Sequence, residues 1–304
     1  MKDLISTRNL GKEDILYFLE TARRIEQKEI SPDLSDKVAA LLFFEPSTRT
    51  VFSFDTAIKR LNGKSLIMLG SEGSSVKKGE TFADTIKTIS QYVDIFIIRS
   101  VVEGASRYAS EIVTQPVVNA GDGSNQHPTQ TLLDLYSILK TQGTLENLKI
   151  ALVGDLKFGR TIHSLVYGLA HFNPTFYLIA PRHLALPEYI RTDKALNHIT
   201  FEDRGKIEDV VDEIDIMYVT RIQKERFTDP EDYEKVKNAY QITRELIEDS
   251  SPKQNMKIMH PLPRVNEISP LVDETPYAYY FQQAKNGLWI RQGIISILLG
   301  KVTS

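Results

Sequence analysis

Hydroxyl and guanidinium groups are concentrated in the segment 45–50, Glu-Pro-Ser-Thr-Arg-Thr, which follows an apolar run and opens a helical pattern. A helix N-terminus presents free amide N–H groups and the positive end of the helix dipole. The hydroxyls of Ser47, Thr48 and Thr50 and the guanidinium of Arg49 add donors suited to phosphate oxygens. The segment therefore predicts a phosphate site, although a simple helix cap beside a solvated arginine would have the same sequence.

Two further positions in the first half of the chain carry groups that can bind anions. Arg99 follows the apolar run Val93–Ile98, and a charge there can also mark only the point where a strand reaches water. His127 and Gln130 follow a loop rich in glycine and asparagine and lie three residues apart, so they share one face of the helix that begins there. A polar loop at 70–80 adds two lysines, for which a solvated loop is the plainer interpretation.

Three segments of the second half place polar groups after apolar runs in the same way. Gly154–Thr161 is similar to the phosphate-cradling loop G-x-x-x-x-G-K-[ST], but it carries Arg160 where that motif needs lysine. Arg221 and Gln223 end another apolar run and, with a period of two, point the same way. In His260–Arg264 two prolines predict a rigid turn, which a cis bond would suit and whose carbonyls can be aimed at a ligand.

The residue types present limit the chemistry of the site. The chain contains no cysteine, which excludes disulfides, thiolate metal sites and cysteine nucleophiles. It contains no metal-ligand cluster, no serine–histidine–aspartate arrangement and no suitably placed acidic pair. The formal net charge of -3 argues against nucleic-acid partners and against a polybasic membrane binder. The pattern therefore predicts a site without metal or cofactor that binds anionic small molecules and acts by electrostatics and positioning.

Helical and strand-like segments alternate along the 304 residues, which is typical of parallel sheets covered by helices. A chain of this length rarely folds around a single hydrophobic core, so we expect two α/β domains, each a parallel β-sheet flanked by helices on both faces. We place them at 1–134 and 135–286, with a C-terminal helix at 287–304 packing back on the first. Such sheets bind ligands beyond the carboxyl ends of their strands, where the polar segments fall. The predicted strands are 38–44, 65–69, 93–98, 116–119, 148–153, 175–180, 214–220 and 256–259.

Five motifs taken together resemble the aspartate and ornithine carbamoyltransferase family. They follow the family's order and spread from residue 45 to about 290, so the resemblance covers nearly the whole chain. Within the family, Lys77-Lys78-Gly79-Glu80 and His260–Arg264 resemble the branch that acts on aspartate, because the ornithine branch typically carries a cysteine in the second of these segments. The motifs are Ser47-Thr48-Arg49-Thr50, Asp122–Gln130, Gly154–Thr161, Thr220–Arg226 and His260–Arg264.

The resemblance implies transfer of the carbamoyl group of carbamoyl phosphate to the amino group of L-aspartate, a step of pyrimidine biosynthesis. The domain at 1–134 would bind carbamoyl phosphate and the domain at 135–286 would bind aspartate. The implied catalytic residues are Arg49, Thr50, Arg99 and His127. The implied contacts to the phosphate of carbamoyl phosphate are Ser47, Thr48, Arg49, Thr50 and Arg99. The carbonyl oxygen would be contacted by Thr50, Arg99 and His127. The NH2 group would be contacted by Gln130 and by the main-chain carbonyls of Pro261 and Leu262.

The resemblance also implies how aspartate is bound and how the chain assembles. The expected state is a homotrimer in which a neighbouring subunit contributes Ser74 and Lys78 to each site. Association with a separate regulatory chain, as in many members of the family, stays open. The residues implied to contact aspartate are Lys78, Arg160, Arg221, Gln223 and Leu262.

The implied reaction fits the residue types. Carbamoyl phosphate is an activated acyl donor, so the aspartate amine can attack its carbonyl carbon directly, without a covalent intermediate. Donors placed on the carbonyl oxygen stabilise the charge that builds there. Since no side chain of the set is an obvious base, we expect a phosphate oxygen of the leaving group to take the amine proton.

Three alternatives stay open on the sequence alone. One is a carbamoyltransferase for ornithine or a related amine. Another is a nucleotide-binding protein built around Gly154–Thr161, and a third is an inactive scaffold that keeps the fold. We expect a soluble, cytoplasmic protein that binds no membrane, because the chain lacks cysteine and its apolar runs are far shorter than the ~20 residues of a membrane span.

Overall fold

The chain divides into two compact units, one formed by Met1–Tyr136 with Lys285–Ser304 and the other by Ser137–Ala284. The computed structural model describes residues 1–70, 79–222, 233–234 and 240–302. Both boundaries between the units fall inside helices. Within the described part of the chain, no helix is long and apolar enough to cross a membrane.

The first unit is built around a four-stranded parallel sheet in the order β2-β1-β3-β4. The strands β1, β3 and β4 are buried on both faces, whereas β2 is an exposed edge strand. Buried apolar side chains of β1 and β3 pack with Ile86 and Ala109 of the covering helices. The elements are α1 (Lys12–Glu26), β1 (Val38–Phe43), α2 (Thr48–Arg60), β2 (Lys64–Leu69), α3 (Phe82–Ile89), β3 (Ile95–Ser100), α4 (Ala105–Ile112), β4 (Val117–Asp122) and the start of α5 (Pro128–Gln142).

The second unit is built around a five-stranded parallel sheet in the order β7-β6-β5-β8-β9. Its core combines alternate residues of β5, β6 and β8 with Ile207, Val210 and Ile247. The elements are β5 (Lys149–Val153), α6 (Arg160–Leu169), β6 (Thr175–Ile179), α7 (Glu188–Arg191), β7 (Thr200–Asp203), β8 (Ile216–Val219), α8 (Arg244–Glu248), β9 (Lys257–Met259) and the start of α9 (Tyr280–Leu298), which continues into the first unit.

The predicted fold class is confirmed, with all strand pairs parallel and every predicted strand present to within a few residues. The short edge strand β7 was not predicted, since only Phe201 of its four residues is strongly apolar. The last helix begins at Tyr280 and not at Gly287. A Cβ at position 287 would lie 2.1 Å from Nη1 of Arg291, so this glycine makes room for a side chain inside the helix and does not start it.

Candidate active site

The carboxyl ends of β1, β3 and β4 lie side by side at one edge of the first sheet. The parallel register pairs Phe43 with Arg99 and Ser100 with Asp122, so the segments after β1 and β4 start at the same level. This edge of a parallel sheet is where ligands bind. The structure thus brings together the residues predicted at 45–50, at Arg99 and at 127–130.

Ser47 is the N-cap of α2, with an extended backbone at φ −160°. Its carbonyl accepts the N–H of Val51, but its hydroxyl makes no capping bond and donates to Oγ1 of Thr50 at 2.9 Å. The interpretation of the Ser47 side chain as a helix cap is therefore wrong. Thr48 and Arg49 are exposed and Thr50 is buried. This helix start combines amides, hydroxyls and one cation, as an anion site requires.

Arg99 lies within β3, and its side chain is buried. Nη1 donates to the carbonyl oxygen of Ala120 at 3.2 Å, and Nη2 donates to Oε1 of Glu45 at 2.7 Å. A charge that only marked where the strand reaches water would be exposed, so that interpretation is wrong. Burial of a cation costs free energy unless an anion and hydrogen bonds offset it, and Glu45 and Ala120 do so here.

His127 and Gln130 both lie at the start of α5, and both are buried. Pro128 occupies the first helical position, as the sequence predicts. Nδ1 of His127 lies 3.4 Å from Oγ1 of Thr129. Nε2 of Gln130 donates to Oδ1 of Asp134 at 2.8 Å, one turn further along the helix. Both side chains are thus positioned by contacts with residues of α5.

Asp122 fixes the loop that precedes His127, a role that sequence reasoning missed. Oδ1 accepts from Nδ2 of Asn119 and from the N–H of Gln126, both at 3.0 Å. Oδ2 accepts from the N–H of Gly104 and from Nδ2 of Asn125. An aspartate among glycine and asparagine residues signals a turn, and three of its four partners lie within four residues of it. The fourth, Gly104, is 18 residues away, so only the folded chain reveals that bond.

The second sheet has an analogous edge, formed by the carboxyl ends of the neighbouring strands β5, β8 and β9. Arg160 is the first residue of α6 after β5, Arg221 lies two residues beyond β8, and the turn 260–264 follows β9. Arg160 and Arg221 are half-buried. The parallel order of these strands places all three segments at one edge. The two arginines and the turn are thus brought together, as predicted.

The loop between β5 and α6 is held by its own carboxylate. Oδ1 of the buried Asp155 accepts the N–H groups of Lys157 and Phe158 at 3.1 and 2.9 Å. In a phosphate-cradling loop such amides point at the phosphate. Because a carboxylate occupies them here, the loop disfavours a nucleotide.

The turn after β9 rests on a buried histidine–glutamate pair. Nε2 of His260 lies 2.8 Å from Oε1 of Glu267, and the N–H of Leu262 donates to Nδ1 of His260 at 2.7 Å. Burial alone would raise the pKa of Glu267, but the hydrogen bond from His260 and backbone N–H groups outweigh it and lower that pKa. Leu262 has φ +58° and precedes a cis bond to Pro263. The histidine therefore holds the Pro261–Leu262 turn, whose carbonyls are candidate acceptors.

Three predicted site residues lie outside the residues that the structure describes: Ser74, Lys78 and Gln223. Their assignment stays a prediction. Among the described residues, no group of three or more histidine, aspartate or glutamate side chains is placed to hold a metal ion.

Each unit has a parallel sheet with arginines at its carboxyl edge, accompanied by hydroxyls in the first unit and by the main-chain carbonyls of a turn in the second. This arrangement is typical of a protein that binds small anionic molecules. Family descriptions match both halves of the chain: the carbamoyl-P binding domain of aspartate/ornithine carbamoyltransferases at residues 2–140 and the Asp/Orn binding domain at residues 146–298. The chain belongs to the aspartate/ornithine carbamoyltransferase family.

Relatives within this family are similar over nearly their whole length. The chain is 51% identical over 300 residues to the aspartate carbamoyltransferase catalytic subunit of Parabacteroides distasonis, covering 98% of this chain and 97% of that one. The catalytic subunit of Methanocaldococcus jannaschii aspartate transcarbamoylase superimposes with a TM-score of 0.90 at 50% identity, over 99% and 98% of the two chains. The Trypanosoma cruzi enzyme, solved with carbamoyl phosphate and aspartate, gives a TM-score of 0.89 at 34% identity, over 97% and 95%.

Proposed function

We propose that this chain transfers the carbamoyl group of carbamoyl phosphate to the amino group of L-aspartate, releasing N-carbamoyl-L-aspartate and phosphate. The observation that carries the proposal is the placement of Thr50, Arg99 and His127 at one sheet edge, in a chain half identical to aspartate carbamoyltransferase catalytic subunits. The product belongs to pyrimidine biosynthesis. The turn 260–264, which contains proline where ornithine enzymes typically have cysteine, favours aspartate over ornithine.

Carbamoyl phosphate is assigned to the first unit. The start of α2, with Ser47, Thr48, Arg49 and Thr50, binds the phosphate, and Arg99 reaches it from β3. Thr50, Arg99 and His127 donate to the carbonyl oxygen. The buried, anchored guanidinium of Arg99 supports this, because a donor held in place costs little reorganisation when charge develops. Gln130 accepts from the carbamoyl NH2 group, as do the main-chain carbonyls of Pro261 and Leu262.

Aspartate is assigned to arginines of the second unit. Arg160 and Arg221, which follow adjacent strands, receive the two carboxylates. Gln223 is a further predicted contact to aspartate. Guanidinium groups bind carboxylates through paired N–H donors. Lys78 and Leu262 complete the aspartate contacts. The cations offset the repulsion between two anionic substrates and align the amine with the carbonyl carbon.

The reaction then needs no covalent intermediate. The amine attacks the carbonyl carbon, negative charge builds on the carbonyl oxygen, and the C–O bond to phosphate breaks. The leaving phosphate takes the amine proton through one of its oxygens. Loss of one donor to the developing oxyanion typically costs about 10²–10³ in rate, so the three donors account for a large part of the acceleration.

A homotrimer is part of the proposal, with Ser74 and Lys78 entering the site of a neighbouring copy. Support comes from the edge strand β2, where Leu66, Ile67 and Leu69 are 48%, 44% and 60% exposed. Phe52 of the neighbouring helix α2 is also exposed, at 64%. An uncovered edge strand with adjacent apolar side chains is a pairing surface that proteins normally cover.

Two further points of the proposal concern where and with what the enzyme works. The absence of cysteine from the sequence fits a reducing cytoplasm. The relatives are named catalytic subunits, which leaves room for a separate regulatory chain in the assembly of this protein.

The test is a product assay on the purified chain alone, with carbamoyl phosphate and either L-aspartate or L-ornithine. Carbamoyl-aspartate formed without added metal or nucleotide supports the proposal. Product with ornithine only would identify the chain as an ornithine carbamoyltransferase and would overturn the proposed binding of aspartate carboxylates by Arg160 and Arg221. No product with either amine would favour the scaffold alternative, once addition of any co-purifying chain has failed to restore activity.

A further inference from the structure

Two buried ionisable side chains of the first unit are not used by the proposed reaction. Asp134 is fully buried in α5, and Arg291 of α9 is buried as well. Burial lowers the pKa of the Arg291 guanidinium to about 10, and the negative charge of Asp134 counteracts part of this shift. At that pKa the Arg291 guanidinium is charged near pH 7. Taking a charge out of water costs several kcal/mol, so buried ionisable groups call for a structural or functional reason.

The chain is built to accommodate Arg291 at this place. Nη1 donates to Oγ of Ser53 at 2.9 Å, and the guanidinium carbon lies 5.0 Å from the ring centre of Phe54. Gly287, one helical turn earlier, leaves the space that Nη1 occupies. Ser53 and Phe54 belong to α2, the helix whose start is the proposed phosphate site. Arg291 therefore contacts that helix directly, while the carboxylate of Asp134 in α5 bonds to Gln130.

Gln130 is oriented by its carboxylate partner. A glutamine side chain has one donor end and one acceptor end, which differ only in the assignment of nitrogen and oxygen. An ionised carboxylate accepts and cannot donate. In the structure the NH2 group of Gln130 donates to Oδ1 of Asp134 at 2.8 Å, which is the orientation that an ionised carboxylate requires. The carbonyl oxygen Oε1, on the other branch of the planar amide, is left to accept from a ligand.

We infer that Asp134 is a positioning residue that fixes Gln130 as a hydrogen-bond acceptor and so selects a ligand carrying NH2 on its carbonyl carbon. The inference rests on the proposed function and deepens it, since it explains a preference for carbamoyl over acetyl donors. A site built to pair a polar group of its ligand rejects analogues that lack that group, because its own polar atom is then left unpaired.

The test compares two stable analogues that differ only at this group. Phosphonoacetamide carries NH2 on the carbonyl carbon, and acetonylphosphonate carries CH3 there. Titration calorimetry gives the dissociation constants of both for the wild type and for Asp134→Asn. In this variant the new amide can donate to Oε1 of Gln130, so Gln130 can turn its own NH2 toward the ligand. We expect the preference for phosphonoacetamide to fall about three- to tenfold, as loss of one hydrogen bond implies.

A matched control is Glu26→Gln. Oε2 of Glu26 accepts from the hydroxyl of Tyr136, on the same helix α5 but away from Gln130. This variant weakens a carboxylate anchor of α5 and should leave the preference unchanged. An unchanged preference in Asp134→Asn, or an equal loss of affinity for both analogues, would overturn the inference and reduce Asp134 to a structural role. If the wild type binds neither analogue, the proposed function itself fails.

A second measurement needs no change at Asp134. The side-chain amide of Gln130 can be identified in a ¹⁵N spectrum of the wild-type enzyme as the signal lost in Gln130→Ala. A proton donated to a buried carboxylate exchanges slowly with deuterated solvent. We expect that protection, and exchange at the rate of a free glutamine side chain would overturn the inference even if Asp134→Asn did not fold.

Discussion

Nη2 of Arg99 donates to Oε1 of Glu45 at 2.7 Å, so the strand β3 and the segment that follows β1 are joined at the level where the phosphate is proposed to bind. The arginine is buried and the glutamate is half-buried. Together with the bond to the carbonyl of Ala120, this leaves the guanidinium two fixed anchors. Glu45 thereby restricts where Arg99 can point.

Glu45→Ala should lower kcat/KM for carbamoyl phosphate by about 10- to 100-fold, because a misplacement of about 1 Å of a catalytic group can cost 10²-fold. Glu45→Gln retains an acceptor and should lose less. Steady-state kinetics with carbamoyl phosphate as the varied substrate measure both. Glu20→Ala removes an exposed acidic group of α1 and controls for net charge. Wild-type kinetics in Glu45→Ala would contradict the anchoring role.

His127→Ala should retain measurable activity, with a rate lower by about 10²–10³, because the proposed mechanism has two other donors to the carbonyl oxygen. His127→Gln keeps an N–H donor and should lose less. Rates at saturating concentrations of both substrates separate this effect from binding. Complete loss of activity in a folded His127→Ala enzyme would mean that His127 does more than polarise the carbonyl.

The pair His260–Glu267 makes stability depend on pH in the acidic range. The pKa of Glu267 is lowered from its ordinary value of 4.5. The unfolded chain therefore binds this proton more tightly than the native state does. The stabilisation is complete above the unfolded-state value and is lost as the pH falls through the lower, folded-state value. Wild-type stability should decline between about pH 5 and pH 3 partly for this reason.

Glu267→Gln should remove that part of the pH dependence and lower the unfolding free energy at pH 7 by about 2–4 kcal/mol, since one partner of a buried pair is lost. Urea unfolding midpoints at several pH values measure both effects. Glu248→Gln breaks an exposed ion pair with Arg244 in the same unit and should change stability by less than about 1 kcal/mol. An unaltered pH profile in Glu267→Gln would contradict the assignment.

Gly154→Ala should destabilise the second unit strongly. Gly154 has φ +110°, and a Cβ there would lie 2.3 Å from the carbonyl oxygen of Thr220. We expect a loss of about 3 kcal/mol or more, from backbone strain and a clash between β5 and β8. Gly143→Ala is the control, because Gly143 has φ +74° with nothing within 4 Å of its Cβ position. It should lose only about 1 kcal/mol. Equal thermal shifts in the two variants would disprove the clash.

The sequence predicted the parallel sheets because buried strands such as Val38–Phe43 are continuous apolar runs bounded by polar loops. It also predicted which polar segments lie at the carboxyl edges, since that follows from the alternation of strands and helices alone. The strand β7 escaped prediction because an edge strand of four residues carries little apolar signal.

Partners that lie far apart in the chain could not be predicted. Arg291 of α9 meets Ser53 of α2, which is 238 residues away in the chain. Glu267 and His260 are only seven residues apart, but they meet through a turn whose path depends on Leu262 at positive φ. A buried carboxylate has no local sequence signature, because its partner is fixed by tertiary packing. Gly287 was misread as the start of a helix because its role is to leave space for the side chain of Arg291, four residues further along the same helix.

Leu66→Asp should dissociate the proposed trimer. Leu66 is 48% exposed on the edge strand β2, next to Ile67 and Leu69. A carboxylate in an apolar interface would be desolvated without a partner, which costs several kcal/mol at each contact.

Leu271→Asp is the control, because Leu271 is 50% exposed in the second unit. Light scattering should give a trimer mass for the wild type and for Leu271→Asp, and a monomer mass for Leu66→Asp. If Ser74 and Lys78 act in the site of a neighbouring copy, activity should fall with dissociation. A trimeric Leu66→Asp would place the interface elsewhere.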